Sequence, residues 1–245
     1  MLIVTGAGRG IGAATSILAA ARGYHVGVNY RSNADAARKV VSCIKNEGGT
    51  AVAIQADVAE EDQVIAMFKS VEQQLGRITA LVNNAGILES QMRLDQMDGA
   101  RIDRVFATNV RGSFLCAREA VRTMSSKHGG AGGSIVNVSS AASRLGSPDE
   151  YIDYAASKGA IDSMTIGLSK EVAQEGIRVN AVRPGVIDTE IHASGGEPNR
   201  LERVSKTVPM LRGGSADEVA EAIIWLLSAQ ASYCTGTFID ITGGR

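Results

Sequence analysis

The 245-residue sequence has no surplus of either charge: 25 Lys and Arg stand against 26 Asp and Glu. A polyanion therefore finds no basic footprint, and aromatics at 4% offer no stacking platform, which together exclude nucleic acid as an expected partner. Cysteine is scarce. Cys43, Cys116 and Cys234 are odd in number, far apart and free of CxxC or Cys/His clustering, so neither a disulfide framework nor a metal site is expected. Reduced thiols of this kind predict a cytoplasmic protein. No apolar run approaches the roughly 18 residues of a membrane span; the best, Ala222–Leu227, stops at Ser228. Met1-Leu2-Ile3-Val4 lacks a basic segment and leads straight into a glycine loop, which argues against a signal peptide. Repeats, linkers and low-complexity tracts are also missing. What is present is 44% hydrophobic residues, enough for a full core and for one domain spanning residues 1–245.

Apolar periodicity alternates between strand and helix along the chain. Leu2–Thr5 reads as a buried strand, followed by the loop Gly6-Ala7-Gly8-Arg9-Gly10-Ile11-Gly12 and an Ala-rich helix to about Arg22. His25–Tyr30, Thr50–Gln55 and Ile78–Val82 read as further strands, separated by helices over about Ala34–Glu47 and Glu60–Leu75. A long helix is predicted from about Ala100 to Lys127, a flexible loop at Gly129–Gly133, and then a strand at Ser134–Val138. A helix from Tyr154 to about Gln174, a strand at Ile177–Val182, a helix capped by Ser215 and a last strand at Gly236–Ile241 complete the pattern. Strand and helix in alternation imply right-handed crossovers and an α/β fold: a doubly wound parallel sheet in a Rossmann-type three-layer sandwich. Residues from about 188 to 214 carry little regular pattern and read as a lid or loop.

The first strand, glycine loop and helix are the parts of a nucleotide site. Gly6, Gly10 and Gly12 let the backbone turn and approach a pyrophosphate, while the N–H groups at Arg9, Gly10 and Ile11 open the helix toward the anion. The second strand ends in Asn29-Tyr30-Arg31-Ser32, without the carboxylate that would accept from a ribose 2′-hydroxyl. Arg31 and Arg9 match a 2′-phosphate instead, which predicts NADP(H) over NAD(H), although Arg31 also reads as a solvated loop charge. Asp57, just past the third strand, either accepts from an adenine amino group or caps the next helix.

Tyr154 and Lys158 lie four residues apart and therefore on one helical face, with an ammonium beside a phenol. A cation so placed favours the phenolate and moves the phenol's pKa down from its usual ~10, making Tyr154 a candidate proton donor and acceptor. Ser140, past the end of its strand, is placed to hold an oxygen whose charge changes during reaction. A Tyr/Lys pair alone is ordinarily a surface pair, so its weight depends on the nucleotide loop that accompanies it.

Taken together, Thr5-Gly6-x3-Gly10-Ile11-Gly12, Asn83-Asn84-Ala85-Gly86, Asn109, Ser140 and Tyr154-x3-Lys158 resemble the short-chain dehydrogenase/reductases, over nearly the whole chain. The resemblance implies reversible hydride transfer between a nicotinamide cofactor and a carbonyl or secondary alcohol, with Tyr154 as acid and base. It implies that Asn83, Ala85 and Gly86 form the cofactor floor, that Asn109 holds a water beside Lys158, and that Lys158 also holds the ribose hydroxyls. Ser140 is the implied substrate-facing hydroxyl, with Ser139 as alternative. Along Pro184-Gly185-Val186-Ile187-Asp188-Thr189, the backbone at Val186–Ile187 and the Thr189 hydroxyl are implied to grip the nicotinamide amide. A homodimer through the two long helices, pairing into a tetramer, is implied as well.

The partner is then a small carbonyl or alcohol, with 3-oxoacyl thioesters on a carrier protein, sugars and small ketones as candidates. A carrier-protein reductase calls for basic residues at the entrance, where Lys127 is opposed by the acidic run Gln174-Glu175-Gly176. Tyr151 has no lysine four residues on and is expected at most to line the pocket; His192 is expected to face solvent rather than substrate. The alternative from another class is an NADP(H)-binding regulatory or scaffold protein on the same fold. It predicts a damaged Ser/Tyr/Lys set, and all three positions are occupied.

Overall fold

Strand residues alternate between two cores. In β1 (Leu2–Val4), Leu2 and Val4 face one apolar cluster while Ile3 faces the other. β4 (Ala80–Asn83) and β5 (Gly133–Val138) repeat this, with Val82 and Val136 on the first side and Leu81 and Ile135 on the second. Both faces are therefore apolar and both must be covered, which is the condition for a parallel sheet between helical layers.

The computed structural model describes residues 1–245, the side chains of His192 and Ser194 excepted. Its sheet has seven strands, all parallel, in the order β3-β2-β1-β4-β5-β6-β7, with β2 at Val26–Tyr30, β3 at Ala51–Gln55, β6 at Ile177–Pro184 and β7 at Phe238–Ile241. α1 (Gly10–Ala21), α2 (Ala34–Asn46) and α10 (Ala216–Leu227) pack on one face. α3 (Glu61–Leu75), α5 (Gly112–Met124) and α7 (Ile152–Glu171) cover the other. The Rossmann-type sandwich read from the sequence is the observed fold. Order reverses between β1 and β4, and the carboxyl ends of those strands open the crevice in which such sheets bind ligands.

The long helix predicted from Ala100 to Lys127 is divided. α4 (Gly99–Phe106) passes through one π-helical turn, Ala107–Arg111, before α5 begins. The turn surrounds Asn109, whose buried side chain is tied to the backbone of Ile87: Oδ1 accepts from its N–H at 2.8 Å and Nδ2 donates to its carbonyl at 3.1 Å. Apolar spacing registers a helix and is blind to one extra residue in a turn.

The segment read as irregular after Thr189 contains two short helices, α8 (Ile191–Ser194) and α9 (Arg200–Ser205). α9 is held by burial of Val204 and by ion pairs of Arg200 and Arg203 to Glu150, at 2.7 and 2.8 Å. Those partners are distant in sequence, so local pattern carried no sign of them. α6 (Ala142–Leu145) and a turn with positive φ at Ser147 and Asp149 occupy the interval between Ser140 and Tyr154. Ser215 caps α10 in a reciprocal capping box with Glu218, as its sequence position predicts.

Candidate functional site

At the glycine loop, the chain passes so close to the segment after β4 that a side chain cannot fit. A Cβ on Gly6, whose φ is +61°, would lie 2.9 Å from the Ala85 Cα, and one on Gly12 would lie 2.5 Å from Asn84 Nδ2. The loop is braced from behind by Asn29, whose Oδ1 accepts from Gly6 N–H at 3.1 Å, and by Asn84 Nδ2, which donates to the Thr5 and Gly6 carbonyls at 2.8 and 3.1 Å. α1 starts at Gly10 with no side-chain cap and no acidic residue in its first turn, so its leading N–H groups remain available to an anion. A groove runs from Gly6, Gly8, Arg9, Gly10 and Ile11 past Arg31 and Asp57 to Ala85 and Gly86. An extended dinucleotide with a pyrophosphate at α1 fits this donor set. Arg9 and Arg31 stand exposed at its rim.

Two expectations change here. Asn83 does not face the groove: as the last residue of β4 it points into the core, where Nδ2 donates to Ser113 O at 3.2 Å and to Asn137 Oδ1 at 3.0 Å. The groove wall is made by Asn84, the next residue, which the alternation of a strand sends the other way. Asp57 is not the cap of α3, a place taken by Glu60; its Oδ1 accepts from Ala59 N–H at 2.9 Å in a local turn, with the rest of the carboxylate on the groove.

The groove continues into a pocket lined by Ser140, Tyr154, Lys158, Pro184, Gly185, Ile187 and Thr189. Ile11 and Asn84 line both. β5 delivers Ser140, whose hydroxyl lies beside the Tyr154 phenol and accepts from Ala142 N–H at 3.1 Å. The neighbouring Ser139 also lines the pocket, but its hydroxyl donates to Asp162 Oδ1 at 2.7 Å. Lys158 is buried beneath, its Nζ donating to Val138 O at 2.8 Å and lying 5.5 Å from the Tyr154 ring centroid. Asn109 Oδ1 and Lys158 Nζ converge on Gly86, where an added Cβ would stand 3.4 and 3.6 Å from them. The Asn109 amide is itself occupied by Ile87 and by Ser157 Oγ at 3.1 Å.

The electrostatics correct one expectation. Burial raises the Tyr154 phenol above its ordinary pKa, opposed by the neighbouring Ser140 hydroxyl and then by the charge of Arg200. Lys158 is itself weakened by burial, its ammonium lowered to about 8 against the favourable charge of Asp162. At neutral pH the pocket thus holds a protonated phenol above a cationic lysine.

Arg200 carried no signal in the sequence. It reaches the pocket from α9, stacks over the Tyr151 ring at 4.9 Å, and pairs with Glu150 at 2.7 Å and Glu197 at 3.3 Å. Tyr151, expected at most as lining, is a buried wall of the pocket; Gln91 lies beside its hydroxyl but outside hydrogen-bond geometry. The side chain of His192 lies outside the described residues.

A model of the family described as enoyl-(acyl carrier protein) reductase matches residues 6–245. An uncharacterized oxidoreductase of Escherichia coli K12 is 60% identical over 99% of this chain and 98% of its own length. The 3-oxoacyl-[acyl-carrier-protein] reductase of Staphylococcus aureus strain Mu50 is 37% identical over 99% of this chain and 96% of its own. A solved short chain dehydrogenase of Burkholderia cenocepacia J2315, in complex with NADP, superposes with a TM-score of 0.90 at 33% identity, covering 99% of this chain and 96% of that one. The chain belongs to the short-chain dehydrogenase/reductase family. As a member it is an oxidoreductase that uses a nicotinamide cofactor.

Topology also moves one argument about substrate. Lys127 and Glu175, read as entrance residues, stand just before β5 and β6, at the amino ends of strands whose carboxyl ends carry the site. They pair with each other at 4.0 Å and have no bearing on this family member's pocket. Among the described residues no helix is long and apolar enough to cross a membrane, and no group of His, Cys, Asp and Glu is placed to hold a metal ion.

Proposed function

We propose that the protein interconverts a small carbonyl compound and the corresponding secondary alcohol with NADP(H). The carrying observation is the convergence of Ser140, Tyr154 and Lys158 on one pocket that continues into the glycine-loop groove. The cofactor supplies or accepts the hydride. In reduction Tyr154 gives its proton to the oxygen on which negative charge develops, and Ser140 donates a second hydrogen bond to that oxygen. Lys158 fixes the phenol's surroundings as an ammonium and holds ribose hydroxyls, with Asn109 beside it for proton return through water. Pro184, Gly185, Ile187 and Thr189 hold the nicotinamide end, while Gly6, Gly10, Ile11 and Gly12 seat the pyrophosphate and Ala85, Gly86 and Asp57 line its path.

Preference for the 2′-phosphorylated cofactor rests on Arg9 and Arg31 at the groove rim, where no carboxylate follows β2. The solved relative in complex with NADP supports the same preference. Arg104 pairs with Glu89 at 2.9 Å, and on the segment over the pocket Arg203 pairs with Glu197 at 2.6 Å. That pairing favours a free small molecule over an acidic carrier protein. The 37% identity to a 3-oxoacyl-[acyl-carrier-protein] reductase supports the second reading, a 3-oxoacyl thioester, with a sugar as a third candidate.

Residues 188–214 serve as the substrate lid of a single domain, 1–245, since Ile191 and Arg200 cover the pocket. The three cysteines are free thiols and suit the cytoplasm. A homodimer or tetramer forms through α5 and α7, where Phe114 and Ile166 are 49% and 44% exposed.

The test is initial-rate kinetics with NADPH and NADH for the wild type and for Arg31→Asp. Loss of the guanidinium contact is expected to weaken NADPH use about tenfold or more and NADH use far less. Equal use of both cofactors by the wild type, or an unchanged ratio in the variant, contradicts the cofactor assignment.

A further inference from the structure

Asp162 stands one helical turn beyond Lys158 on α7, outside the constellation described so far. Its side chain is 14% exposed and gripped from two strands. Oδ1 accepts from the Ser139 hydroxyl at 2.7 Å, and Oδ2 accepts from Arg183 Nε at 3.0 Å and Nη2 at 2.9 Å. Ser139 directly precedes Ser140, and Arg183 directly precedes Pro184-Gly185. One carboxylate thus ties the helix carrying Tyr154 and Lys158 to both strand ends that complete the pocket. Two guanidinium nitrogens converge on that one oxygen while the other oxygen holds Ser139, so both sides of the carboxylate are engaged. Arg183 is itself fixed, its guanidinium 3.9 Å from the Phe238 ring centroid and 3.8 Å from Asp240 Oδ1 on β7.

We propose that Asp162 is a positioning residue for the reaction, pinning the catalytic helix to the two strand ends and supplying the counter-charge that keeps Lys158 an ammonium. Arg183 moderates that charge. This role rests on the reading of Lys158 given above. The groups facing Lys158 can be taken element by element. Its own helix offers Tyr154 and Asp162, and at its start Asp153, already closed in a pair with Arg101 of α4 at 2.8 Å. β5 offers the neutral Val138 carbonyl and Ser139 hydroxyl, the π turn the neutral Asn109 amide, and the segment after β4 only Gly86. β6 brings Arg183 with Asp240 of β7 behind it, and α9 brings Arg200, paired with Glu150 and Glu197. Asp162 is the carboxylate whose charge raises the affinity of Lys158 for its proton, against the burial that lowers it.

The two partners of this ion pair predict opposite effects. Asp162→Asn removes the anion and leaves Arg183 facing the lysine, so the Lys158 midpoint falls below about 8. Arg183→Gln leaves Asp162 unopposed, so the midpoint rises. Each shift is expected on the order of one unit, a tenfold change in ammonium fraction above the midpoint. A merely structural bridge would be broken identically by both substitutions. The measurement is an NMR titration of 15Nζ-labelled lysine, with Lys158→Met to assign the signal, beside the pH dependence of kcat/KM for cofactor in the same variants.

Opposite NMR shifts, with the alkaline limb of the rate profile following each, are the expected result. Shifts of the same sign, or none, overturn the role of Asp162 while leaving the Tyr154 and Lys158 reading intact. Opposite NMR shifts with an unmoved rate limb overturn instead the requirement for cationic Lys158, and with it any service of Asp162 to the reaction. Should Asp162→Asn fail to fold, Arg183→Gln decides alone: a raised midpoint supports the proposal and an unraised one overturns it.

Discussion

At Tyr154 and Lys158, burial and charge act in opposition, and their balance sets the pH range of activity. The phenol is raised by burial, which keeps it a proton donor through neutral pH, while the lysine is lowered to about 8. If the ammonium is the working form, kcat/KM for cofactor is expected to fall above pH of about 8, reporting Lys158 in the free enzyme. A profile flat to pH 10 would contradict this. Stability moves the other way with pH. A lysine whose folded pKa lies below its unfolded value of roughly 10.5 releases its proton earlier when folded. Its burial therefore disfavours the fold below pH of about 8, and that penalty is relieved progressively as pH rises toward roughly 10.5. Rising stability beside falling activity separates titration of Lys158 from alkaline unfolding. At this scale the sequence was legible where chemistry imposes spacing: Tyr154 and Lys158 share a face because four residues make one turn. It was misleading on the sign of the phenol's shift, because proximity of a cation is visible in a sequence and desolvation is not.

Among the elements, α4 and α7 meet through a buried charge pair. Arg101 Nε lies 2.8 Å from Asp153 Oδ2, with side chains 5% and 2% exposed, and Arg101 Nη1 also donates to Ser90 O at 2.6 Å. Asp153 immediately precedes Tyr154, so this pair sets the entry of α7. Arg101→Met leaves a carboxylate buried without its partner and is expected to lower unfolding free energy by about 3–5 kcal/mol, measured by urea titration. A loss within the range of an exposed pair, below about 1 kcal/mol, would show that water reaches Asp153. The same scale shows why parts of the fold could not be read. The π turn at Asn109 depends on Ile87, and α9 depends on Glu150; both partners lie far away in sequence. By contrast β1, the glycine loop and α1 were legible because their requirements are local: a buried strand, a backbone approach that excludes Cβ, and an uncapped helix start.

For the whole molecule, the order β3-β2-β1-β4-β5-β6-β7 places groove and pocket at the carboxyl ends of the strands, around the point where the strand order reverses. Lys127 and Glu175 lie at the opposite, amino ends of β5 and β6, which is why entrance arguments built on them fail; their place before each strand already puts them away from the carboxyl ends. The outer faces of α5 and α7 keep Phe114 and Ile166 in solvent and leave open space beside Gly159 and Gly167. A charge at the centre of such a face is costly to bury, so on the proposed interface through α5 and α7 Phe114→Glu is expected to give a smaller species than the wild type in sedimentation velocity. An unchanged sedimentation coefficient would contradict the proposed interface.

The most direct measurement is turnover of NADPH by the wild type and by Tyr154→Phe against a panel of small ketones, 3-oxoacyl thioesters and sugars, with cofactor affinity determined by fluorescence titration. The account predicts turnover of at least one carbonyl class by the wild type. It predicts a loss of about 10²–10⁴-fold in the variant, with cofactor affinity retained. Near-normal turnover in Tyr154→Phe would contradict the assignment of the phenol as the group that moves the proton.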